Sequence, residues 1–560
     1  MAKTATISFD NTRATLQPGP YNSDLTNKAY KALSYEIPGS QWAGKGKRAG
    51  FGKPRKASFF SISTWSFPAG LIFLVREAFE KAGYEVELVD KRDGLPIVAR
   101  TFGPSSFSKE IESCLKGITL RDYQVGAVSE IFSRTRGIIR AATGSGKTEI
   151  SIAAMKLARD CGIKSLLLTH KVELLHQTAD RIEKYTGSKV GVIGDGEMDL
   201  RDMTVATVET IDAVFRAFRE LQEFRKAKMT REEIAAGIAH CETTFSPDLP
   251  EDKKKEYEEK FSYLLKLSRI AARDPEKIIT KHVTLKRYLE SVGLYILDEA
   301  HRGSGSQFQE TIKAMPNAYY RIGVTATPWM KTDLENLKLA AVTGEVIYEV
   351  SVEDLVKRDL LAKPLVKFIR ITEPVLPKSW KYPKVLKAGI IENTPRNKRI
   401  IEETFKLVAA GCRVLILVEK IEHGQRLFRA LDVISGDLIR CAYIHGSKSG
   451  EERQKAIKDI GTGEINVLIS STILDEGVDA PDLSAVILAG GGKSSIKTYQ
   501  RIGRGMRNKK DGPNIVRIVD FIDFSHKYLT AHSLERFQAI RNEPGYTIVN
   551  EFPLSERKVV

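Results

Sequence analysis

Short apolar runs alternate with helical patterns over two stretches of the chain. In the first stretch, about residues 117–345, the runs are Ile138–Arg140, Ser165–Thr169, Val205–Thr207, Leu294–Asp298 and Arg321–Thr325. In the second, about residues 362–525, they are Val414–Val418, Ala442–His445, Val467–Ser470, Ala485–Leu488 and Ile515–Phe521. Apolar strands separated by helices are typical of a parallel sheet that helices cover. The sequence therefore predicts two α/β units in tandem.

The first 115 residues have a different pattern, which predicts a small α+β domain. The run KASFFSISTW (56–65) is rich in aromatic and β-prone residues and predicts a strand. Apolar positions between Ala69 and Ala82 form one helical stripe, and Gly83 follows where a helix C-cap is expected. Tyr84–Val89 alternates and predicts a second strand.

A charge-dense segment of helical pattern, about residues 213–290, interrupts the first α/β series. Its apolar residues indicate that it packs rather than forming a disordered loop: Phe215, Phe218, Phe224, Phe261, Tyr263, Leu264, Leu265 and Leu267. We interpret it as a helical insertion. Its role stays open, and a protein partner is one candidate.

The composition narrows the class of protein. Lys and Arg number 87 and Asp and Glu 71, so the net charge is +16, which suits either a polyanion partner or a simply basic protein. No run of about 18 apolar residues is present, so no membrane span is expected. The five cysteines form no C-x-x-C pair, which argues against a disulfide scaffold or zinc knuckle. No secretory signal is visible at the start, and we expect a cytoplasmic protein.

The segment AATGSGKTEI (141–150) has the pattern of a phosphate-binding loop between a strand and a helix. Gly144 and Gly146 would let the backbone N–H groups approach a phosphate at the helix N-terminus. Lys147 would reach the β- and γ-phosphates, and the Thr148 hydroxyl would hold Mg²⁺. The predicted binding residues are Gly144, Ser145, Gly146, Lys147 and Thr148.

Acidic residues follow the apolar strand in LYILDEAHR (294–302). Ligands of open α/β sheets bind at the carboxyl ends of the strands, which is where Asp298 and Glu299 stand. Asp298 would bind Mg²⁺, and Glu299 would polarise the attacking water as a general base. His301 is expected to couple this site to the segment VTATP (324–328).

A pair of arginines in the second unit completes the candidate ATPase. Arg504 and Arg507 in YQRIGRGMR (499–507) are three residues apart, so on a helical turn they reach one point. Arginines supplied by a second domain stabilise the charge on a transferring γ-phosphoryl group. We therefore predict ATP hydrolysis.

These sites together resemble the superfamily 2 DEAH-box helicases, over roughly residues 117–525. LRDYQ (120–124) is similar to the family's Q motif, in which Gln124 would read adenine. Further motifs are LLTHKVELLHQ (167–177), VATVETI (205–211), TAT (325–327), LVEKIEHGQRL (417–427), SSTILDEGVDAPDL (470–483) and QRIGRGMR (500–507).

The resemblance implies a role for further residues and a fold of two RecA-like domains. The nucleic-acid strand would contact Thr169, Thr207 and Thr472, while Gly477 and Asp479 would lie near the nucleotide. The residues implied in coupling are His301, Thr325, Thr327 and Gln500. For each threonine alone, an ordinary strand-end hydroxyl is the alternative.

The N-terminal stretch, with YEIP (35–38) and residues 67–90, resembles the UvsW-type helicases of the XPB-like branch. The ending VDFIDFSHKYLTAHSLERF (519–537) also fits that branch. Members of this group remodel branched DNA, regress forks and migrate junctions. The chain lacks an R-E-D tripeptide, and the insertion is not part of the group's pattern.

Cations and aromatic residues are interleaved in QWAGKGKRAGFGKPRK (41–56). Cations neutralise phosphates and aromatic rings stack on bases, so this segment is a candidate grip on duplex or junction DNA. The alternative is a solvated basic hairpin. The candidate contacts are Trp42, Lys45, Lys47, Arg48, Lys53, Arg55 and Lys56.

The resulting hypothesis is an ATP- and Mg²⁺-dependent DNA helicase or translocase that remodels branched DNA, in the host cytoplasm if phage-encoded. A double-strand translocase without strand separation, an RNA helicase and a catalytically silent nucleic-acid-binding adaptor are the alternatives. The predicted divisions are 1–115 for the N-terminal DNA-binding domain, 116–345 for the first RecA-like domain, 213–290 for the insertion within it, 346–530 for the second RecA-like domain and 531–560 for a C-terminal tail.

Overall fold

The computed structural model describes residues 3–17, 23–37, 55–92, 107–245, 250–329, 332–435, 438–471, 483–492 and 514–552. Two compact units can be distinguished. The first comprises Met1–Ile138, Ser151–Gly323 and Thr332–Glu345, and the second comprises Ile139–Ile150, Val324–Lys331 and Val346–Val560. The predicted domain boundaries stay predictions.

The N-terminal elements build a four-stranded sheet covered by helices. They are β1 (Lys3–Phe9), β2 (Arg13–Gln17), α1 (Ser23–Ala32), β3 (Ser34–Glu36), β4 (Lys56–Ser58), β5 (Ser66–Pro68), α2 (Ile72–Glu80) and β6 (Tyr84–Asp90). The strand order is β5-β2-β1-β6, in which β1 pairs antiparallel with β2 and parallel with β6. Ile7, Phe67 and Phe79 are buried between this sheet and the helices. β3 and β4 form a separate antiparallel pair.

The strand predicted over residues 56–65 is largely wrong, because only Lys56–Ser58 is a strand. The chain then turns: the Ser61 N–H donates to the Ser66 carbonyl at 2.8 Å, and the Thr64 hydroxyl donates to that of Ser61. Trp65 has φ of 54°, in the left-handed region. Local hydroxyl hydrogen bonds here outweigh the β-propensity of the aromatic residues.

The α/β series begins after residue 107. Its first elements are α3 (Phe107–Ser113), α4 (Asp122–Arg134), β7 (Arg136–Ala141), α5 (Lys147–Asp160), β8 (Ser165–Thr169), α6 (Val172–Thr186), β9 (Gly191–Gly194), β10 (Glu197–Met198) and β11 (Met203–Thr207). Apart from β10, these strands are almost wholly buried, as expected for a sheet with both faces covered.

The segment predicted as a helical insertion is helical. Its helices are α7 (Val208–Ala227), α8 (Arg231–Thr244), α9 (Glu251–Ala271) and α10 (Pro275–Ser291). Asp274 caps α10 by accepting the N–H groups of Glu276 and Lys277, and Thr230 caps α8. Leu221, Leu264, Leu267 and other apolar side chains are buried, which confirms that the segment packs.

The first sheet resumes with β12 (Leu294–Asp298), α11 (Ser306–Lys313), β13 (Tyr320–Thr325), α12 (Asp333–Val342) and β14 (Val346–Val350). Its strand order is β10-β9-β11-β8-β12-β13-β7-β14. β8 lies between β11 and β12 and runs parallel to both, so the carboxyl ends of these strands share one edge.

The second sheet lies entirely in the second unit. Its elements are α13 (Val352–Lys357), β15 (Lys363–Ile371), α14 (Tyr382–Leu386), α15 (Thr394–Ala409), β16 (Val414–Leu417), α16 (Ile421–Ser435), β17 (Cys441–Ile444), α17 (Gly450–Thr462), β18 (Val467–Ser470), β19 (Ala485–Leu488), β20 (Ile515–Asp523), α18 (Lys527–Asn542) and β21 (Thr547–Val549). The order is β17-β18-β16-β19-β20-β15-β21.

The predicted class, two tandem α/β units with parallel sheets, is confirmed. The strands β9, β10, β14, β15 and β21 were not predicted, and β21 pairs parallel with β15 at the edge of the second sheet. Within the described ranges, no helix is both long enough and apolar enough to cross a membrane.

Candidate ATPase and nucleic-acid site

The phosphate loop joins β7, which ends at Ala141, to α5, which begins at Lys147. Gly144 and Gly146 both have φ of 85°, a conformation that a residue with a Cβ adopts only with strain. The loop needs both glycines, and it leads directly into the N-terminus of α5, where the helix dipole favours an anion.

Backbone hydrogen bonds fix this loop within the second unit. The Ser145 N–H donates to the Ala142 carbonyl at 3.1 Å, and the Ala142 N–H donates to Val350 on β14 at 3.2 Å. The Lys147 ammonium lies 3.5 Å from the Ala141 carbonyl oxygen, so its side chain folds back along the loop. Thr148 stands in the first turn of α5. This is the local geometry expected for a P-loop.

A small cavity lies beside the loop, within the same unit, and its volume is about 20 Å³. Nucleotide-sized pockets have volumes of roughly 300 Å³ or more, so this cavity is not itself a nucleotide pocket. In its wall Arg140 binds Glu349 at 2.8 Å and lies 3.6 Å from Glu543. Burial raises the pKa of Glu543, although Arg140 opposes that shift. Glu543 stands far along the chain from Arg140, and no local pattern indicates this cluster.

The acidic pair stands at the end of β12, where the sequence predicted it. Glu299 has φ of 47° and ψ of 54°, a strained conformation for a residue with a side chain. Its N–H donates to the Asp298 carboxylate at 3.0 Å. The buried His301 brings Nδ1 within 3.4 Å of Glu299 Oε2. Both carboxylates are partly exposed at the carboxyl edge of the sheet.

The turn at Ala300–Arg302 packs closely on the strand that leads to the TAT segment. A side chain at Gly323 would place its Cβ 2.8 Å from that of Ala300. Beyond Gly323, β13 ends at Thr325, whose fully buried hydroxyl accepts the Thr327 N–H at 3.2 Å. The DEAH turn therefore packs on β13 at Gly323, two residues before Thr325.

Gln124 has a structural role that sequence reasoning missed. Its amide oxygen accepts the Arg121 N–H at 2.9 Å, the reciprocal contact of a capping box at the start of α4. The side chain is 5% exposed. Its role in reading adenine stays a prediction.

Thr169 and Thr207, predicted strand contacts, are opposite each other in the β8–β11 pair at the carboxyl edge of the sheet. The Thr207 hydroxyl lies 2.8 Å from that of Thr210. Thr169 Oγ1 is buried with no hydrogen-bond partner among the described residues. Both hydroxyls are buried in this conformation, so their contact with a strand stays a prediction.

Arg55 and Lys56 are exposed at the start of β4. The Arg55 carbonyl accepts the Ile37 N–H at 2.8 Å, and Lys56 is opposite Glu36 in the β3–β4 pair. The other candidates lie outside the described residues: Trp42, Lys45, Lys47, Arg48, Lys53, Thr472, Gly477, Asp479, Gln500, Arg504 and Arg507.

Two buried arginines hold the segment that precedes the QRIGRGMR motif. Arg396 donates to Asp523 at 3.0 Å and to the Ala489 carbonyl at 2.7 Å. Arg536 binds both carboxylate oxygens of Asp520 at 2.9 Å and donates to the Gly492 carbonyl. Sequence reasoning missed this network, although two aspartates within an apolar strand signal buried partners.

The oxygen donors present suit Mg²⁺, which is usually bound by one or two protein oxygens together with phosphates. Thr148 supplies a hydroxyl at the start of α5, and Asp298 supplies a carboxylate at the end of β12. In the part of the chain that is described, no group of three or more His, Cys, Asp or Glu side chains forms a dedicated metal site.

Two protein families match the chain. Residues 117–330 match the type III restriction enzyme, res subunit, and residues 396–509 match the helicase conserved C-terminal domain. A fragment of a type I restriction enzyme from Vibrio vulnificus YJ016 superposes with a TM-score of 0.50 at 18% identity, covering 89% of this chain and 75% of that one. At this identity the likeness indicates a shared fold.

Curated relatives are similar over long stretches. A protein of Sulfolobus islandicus filamentous virus, named as helicase 22, is 26% identical over 77% of this chain and 68% of its own. The DNA 3'-5' translocase XPB2 of Sulfurisphaera tokodaii is 24% identical over 72% of this chain and 82% of its own. The ATP-dependent DNA helicase uvsW of Enterobacteria phage T4 is 24% identical over 46% and 54%. The chain therefore belongs to the superfamily 2 helicases, and it is an ATP-hydrolysing enzyme with two RecA-like domains.

Proposed function

We propose that this protein is an ATP- and Mg²⁺-dependent DNA translocase that remodels branched DNA, such as forks and four-way junctions. The names of two relatives, a DNA 3'-5' translocase and an ATP-dependent DNA helicase, support DNA as the substrate. The N-terminal α+β domain supports a substrate with more than one arm, because its cation-rich sequence 41–56 adds basic residues outside the two RecA-like domains.

The observation that carries this proposal is the β3–β4 pair. Glu36 is opposite Lys56, and the Ile37 N–H donates to the Arg55 carbonyl, so the chain leaves and re-enters the described part of the domain at neighbouring positions on either side of residues 38–54. A cation-rich segment that starts and ends at neighbouring positions of a folded domain is well placed to bind the phosphates of DNA.

The same domain is packed on the motor. Leu337, Ala340 and Ala341 of α12 join the apolar core of the N-terminal domain. In the sequence α12 follows the TAT segment, which ends at Thr327. DNA bound by the N-terminal domain would therefore lie close to α12, the helix that follows the TAT segment in the sequence.

In the proposed ATPase, Lys147 would bind the β- and γ-phosphates at the N-terminus of α5, and Thr148 and Asp298 would hold Mg²⁺. Glu299 accepts a proton from the attacking water. Bound Mg²⁺ supplies charge neutralisation for the phosphates.

Arginines of the second RecA-like domain would complete the site. Arg504 and Arg507 stabilise the charge that develops on the transferred phosphoryl group. Because the second domain supplies these arginines, nucleotide binding favours closure of the two domains, and release favours opening.

The test is the steady-state ATPase rate with no nucleic acid, single-stranded DNA, blunt duplex, fork, four-way junction and single-stranded RNA. We expect the strongest stimulation with fork or junction. Lys147→Ala should lower the rate at least about 100-fold while DNA binding persists, because the variant removes an interaction that stabilises the transition state. Equal stimulation by plain duplex would favour a translocase without remodelling, RNA preference would overturn the substrate, and no stimulation would favour the adaptor.

Deleting residues 43–56 tests the grip separately. It removes the cations Lys45, Lys47, Arg48, Lys53, Arg55 and Lys56. The slope of log binding constant against log salt should become shallower by roughly 0.9 for each duplex phosphate that the protein no longer neutralises. Replacing the segment with a Gly/Ser linker of equal length is the control for chain connectivity, and an unchanged slope would contradict the grip.

A further inference from the structure

The helical insertion begins inside the motor rather than at its surface. Its first helix, α7, starts directly after Thr207, the last residue of β11, and runs for 20 residues to Ala227. Val208, Ile211 and Asp212 in its first turns are buried, whereas the later turns carry the remaining insertion helices. One continuous helix thus connects the predicted strand contact at Thr207 with the insertion.

Asp212 is the centre of a polar cluster on this helix. Its side chain is only 11% exposed. Its carboxylate accepts Gln307 Nε2 at 3.0 Å, Arg216 Nη2 at 3.3 Å and Arg219 Nη2 at 3.5 Å. Gln307 belongs to α11, so Asp212 links the insertion helix to another element of the motor.

A second contact follows the same two helices. Arg219 Nη1 lies 3.6 Å from Glu310 Oε2 on α11. Residues 212, 216 and 219 share one face of α7, and residues 307 and 310 share one face of α11, since helical neighbours are three or four apart. The polar faces of α7 and α11 are therefore joined by more than one contact.

α11 is in turn bonded to the DEAH turn. The Gly305 N–H donates to the Arg302 carbonyl at 2.9 Å, and Gln309 Nε2 donates to the Gly303 carbonyl at 2.7 Å. The helix that receives Asp212 is therefore fixed to the residues that immediately follow Glu299 and His301.

The outer part of the insertion is internally braced. Glu223 and Glu220 of α7 bind Lys266 and Arg273 at 2.8 and 3.0 Å. The His282 ring on α10 stacks on Phe218 at 3.7 Å. These contacts hold the insertion helices together along the outer turns of α7, beyond Asp212.

We propose that Asp212 is a positioning residue that couples the strand-contact end of β11 and the insertion to ATP hydrolysis at the DEAH turn, acting through Gln307 and α11. This inference rests on the proposed DNA-dependent ATPase. Strand occupancy at Thr207 changes the start of α7, and the Asp212–Gln307 contact passes that change to the segment after Glu299. Because a chain of contacts does not by itself demonstrate coupling, the test measures coupling directly.

The experiment compares Asp212→Ala with Glu223→Ala in the full chain, by ATPase rates without DNA and with saturating fork DNA. Glu223 is on the same helix, and its variant removes an ion pair that lies wholly inside the insertion. We expect Asp212→Ala to lower the DNA-stimulated kcat about tenfold with the DNA-free rate unchanged, as an interaction used only in the stimulated state would do. Glu223→Ala should leave both rates unchanged.

Asp212→Asn keeps an acceptor for Gln307 and should recover part of the stimulation. Gln307→Ala removes the same contact from the side of α11. It replaces Asp212→Ala in the comparison if Asp212→Ala does not fold. In a double-mutant cycle, Asp212→Ala with Gln307→Ala should cost no more than either alone, because both remove one contact.

Normal stimulation of Asp212→Ala and Gln307→Ala would overturn the inference, as would an equal fall in the DNA-free and stimulated rates. A wild-type enzyme that no DNA stimulates would instead overturn the proposed function. The two failures are therefore distinguishable in the same assay.

Discussion

The N-terminal domain and the helical insertion are both attached to helices that follow ATPase motifs, but by different chemistry. The N-terminal domain packs on α12, which follows the TAT segment, through apolar side chains and a close approach at Gly70. The insertion contacts α11, which follows the DEAH turn, through Asp212, Arg216 and Arg219. One attachment is close-packed and the other is polar.

The difference matters because the two kinds of contact respond differently to displacement. A close-packed backbone contact has no room to shift, so it holds its partner in one position. Arg216 and Arg219 are about half exposed, and ion pairs of exposed side chains are worth little individually and adjust readily. We therefore expect the N-terminal domain to be the fixed attachment and the insertion the adjustable one.

One side chain links α11, which contacts the insertion, to α12, which contacts the N-terminal domain. Gln309 Nε2 on α11 donates to the Gly303 carbonyl at 2.7 Å and to the Lys338 carbonyl of α12 at 3.1 Å. The helices that receive the two appendages are therefore joined next to the DEAH turn.

The largest effect is expected for Gly70→Ala, which disturbs the packing of the N-terminal domain on α12. A Cβ at Gly70 would collide with the Ala340 carbonyl oxygen and lie 2.6 Å from that of Ala341. We expect a loss of stability at or above the upper end of ~1–3 kcal/mol for overpacking, with faster hydrogen exchange in β1 and α12. Gly450→Ala is the matched control, because a Cβ there meets nothing within 4 Å. Equal exchange in the two variants would show that the N-terminal attachment is not close-packed.

The next largest effect is expected for Arg92→Ala, which removes a second contact of the N-terminal domain with the first α/β series. The guanidinium lies 4.0 Å from the centre of the Tyr319 ring, bonds to Thr135 at 2.9 Å and pairs with Asp90. Burial tends to raise the pKa of Asp90, but hydrogen bonds from Arg92 outweigh it and lower that pKa.

Asp90 is exposed and water can replace its partner, so the expected cost of about 1 kcal/mol in thermal or denaturant unfolding comes from the lost packing of the buried Arg92 side chain on Tyr319 and its bond to Thr135. Arg92→Lys should cost nearly as much, since an ammonium cannot both stack and bond bidentately. A Lys variant as stable as the wild type would reduce the role of Arg92 to charge alone.

The smallest effect concerns the adjustable attachment and depends on pH. Burial, and to a lesser extent Lys286, lowers the pKa of His282, which stacks on Phe218. A lowered folded-state pKa means that the folded protein binds fewer protons, so stability is present above the unfolded pKa of about 6.5 and falls as pH decreases below it.

Thermal unfolding of wild type and His282→Phe at pH 7.5 and 5.5 checks this prediction. The wild type should lose stability relative to His282→Phe at the lower pH, because phenylalanine keeps the stack without a proton. A constant difference between the two proteins would contradict it.

Local patterns predicted most strands of both sheets within one or two residues, for example Ser165–Thr169 and Leu294–Asp298. They failed where hydrogen bonds between neighbouring hydroxyls decide the backbone, as at Ser61 and Thr64. They also missed β9, β10, β14, β15 and β21. The three-residue β21 depends on the strand beside it, whereas in β15 the charged Lys367 and Arg370 interrupt the apolar run.

The tandem α/β fold, the phosphate loop and the acidic pair follow from the sequence, because each depends on residues adjacent in the chain or on a short repeat. The contacts of the N-terminal domain and of the insertion with α12 and α11 depend on tertiary packing. Asp212 and Gln307 are 95 residues apart, and Gly70 and Ala340 are further apart still. Such contacts arise from packing between distant segments, and no local pattern encodes which distant partner a side chain meets.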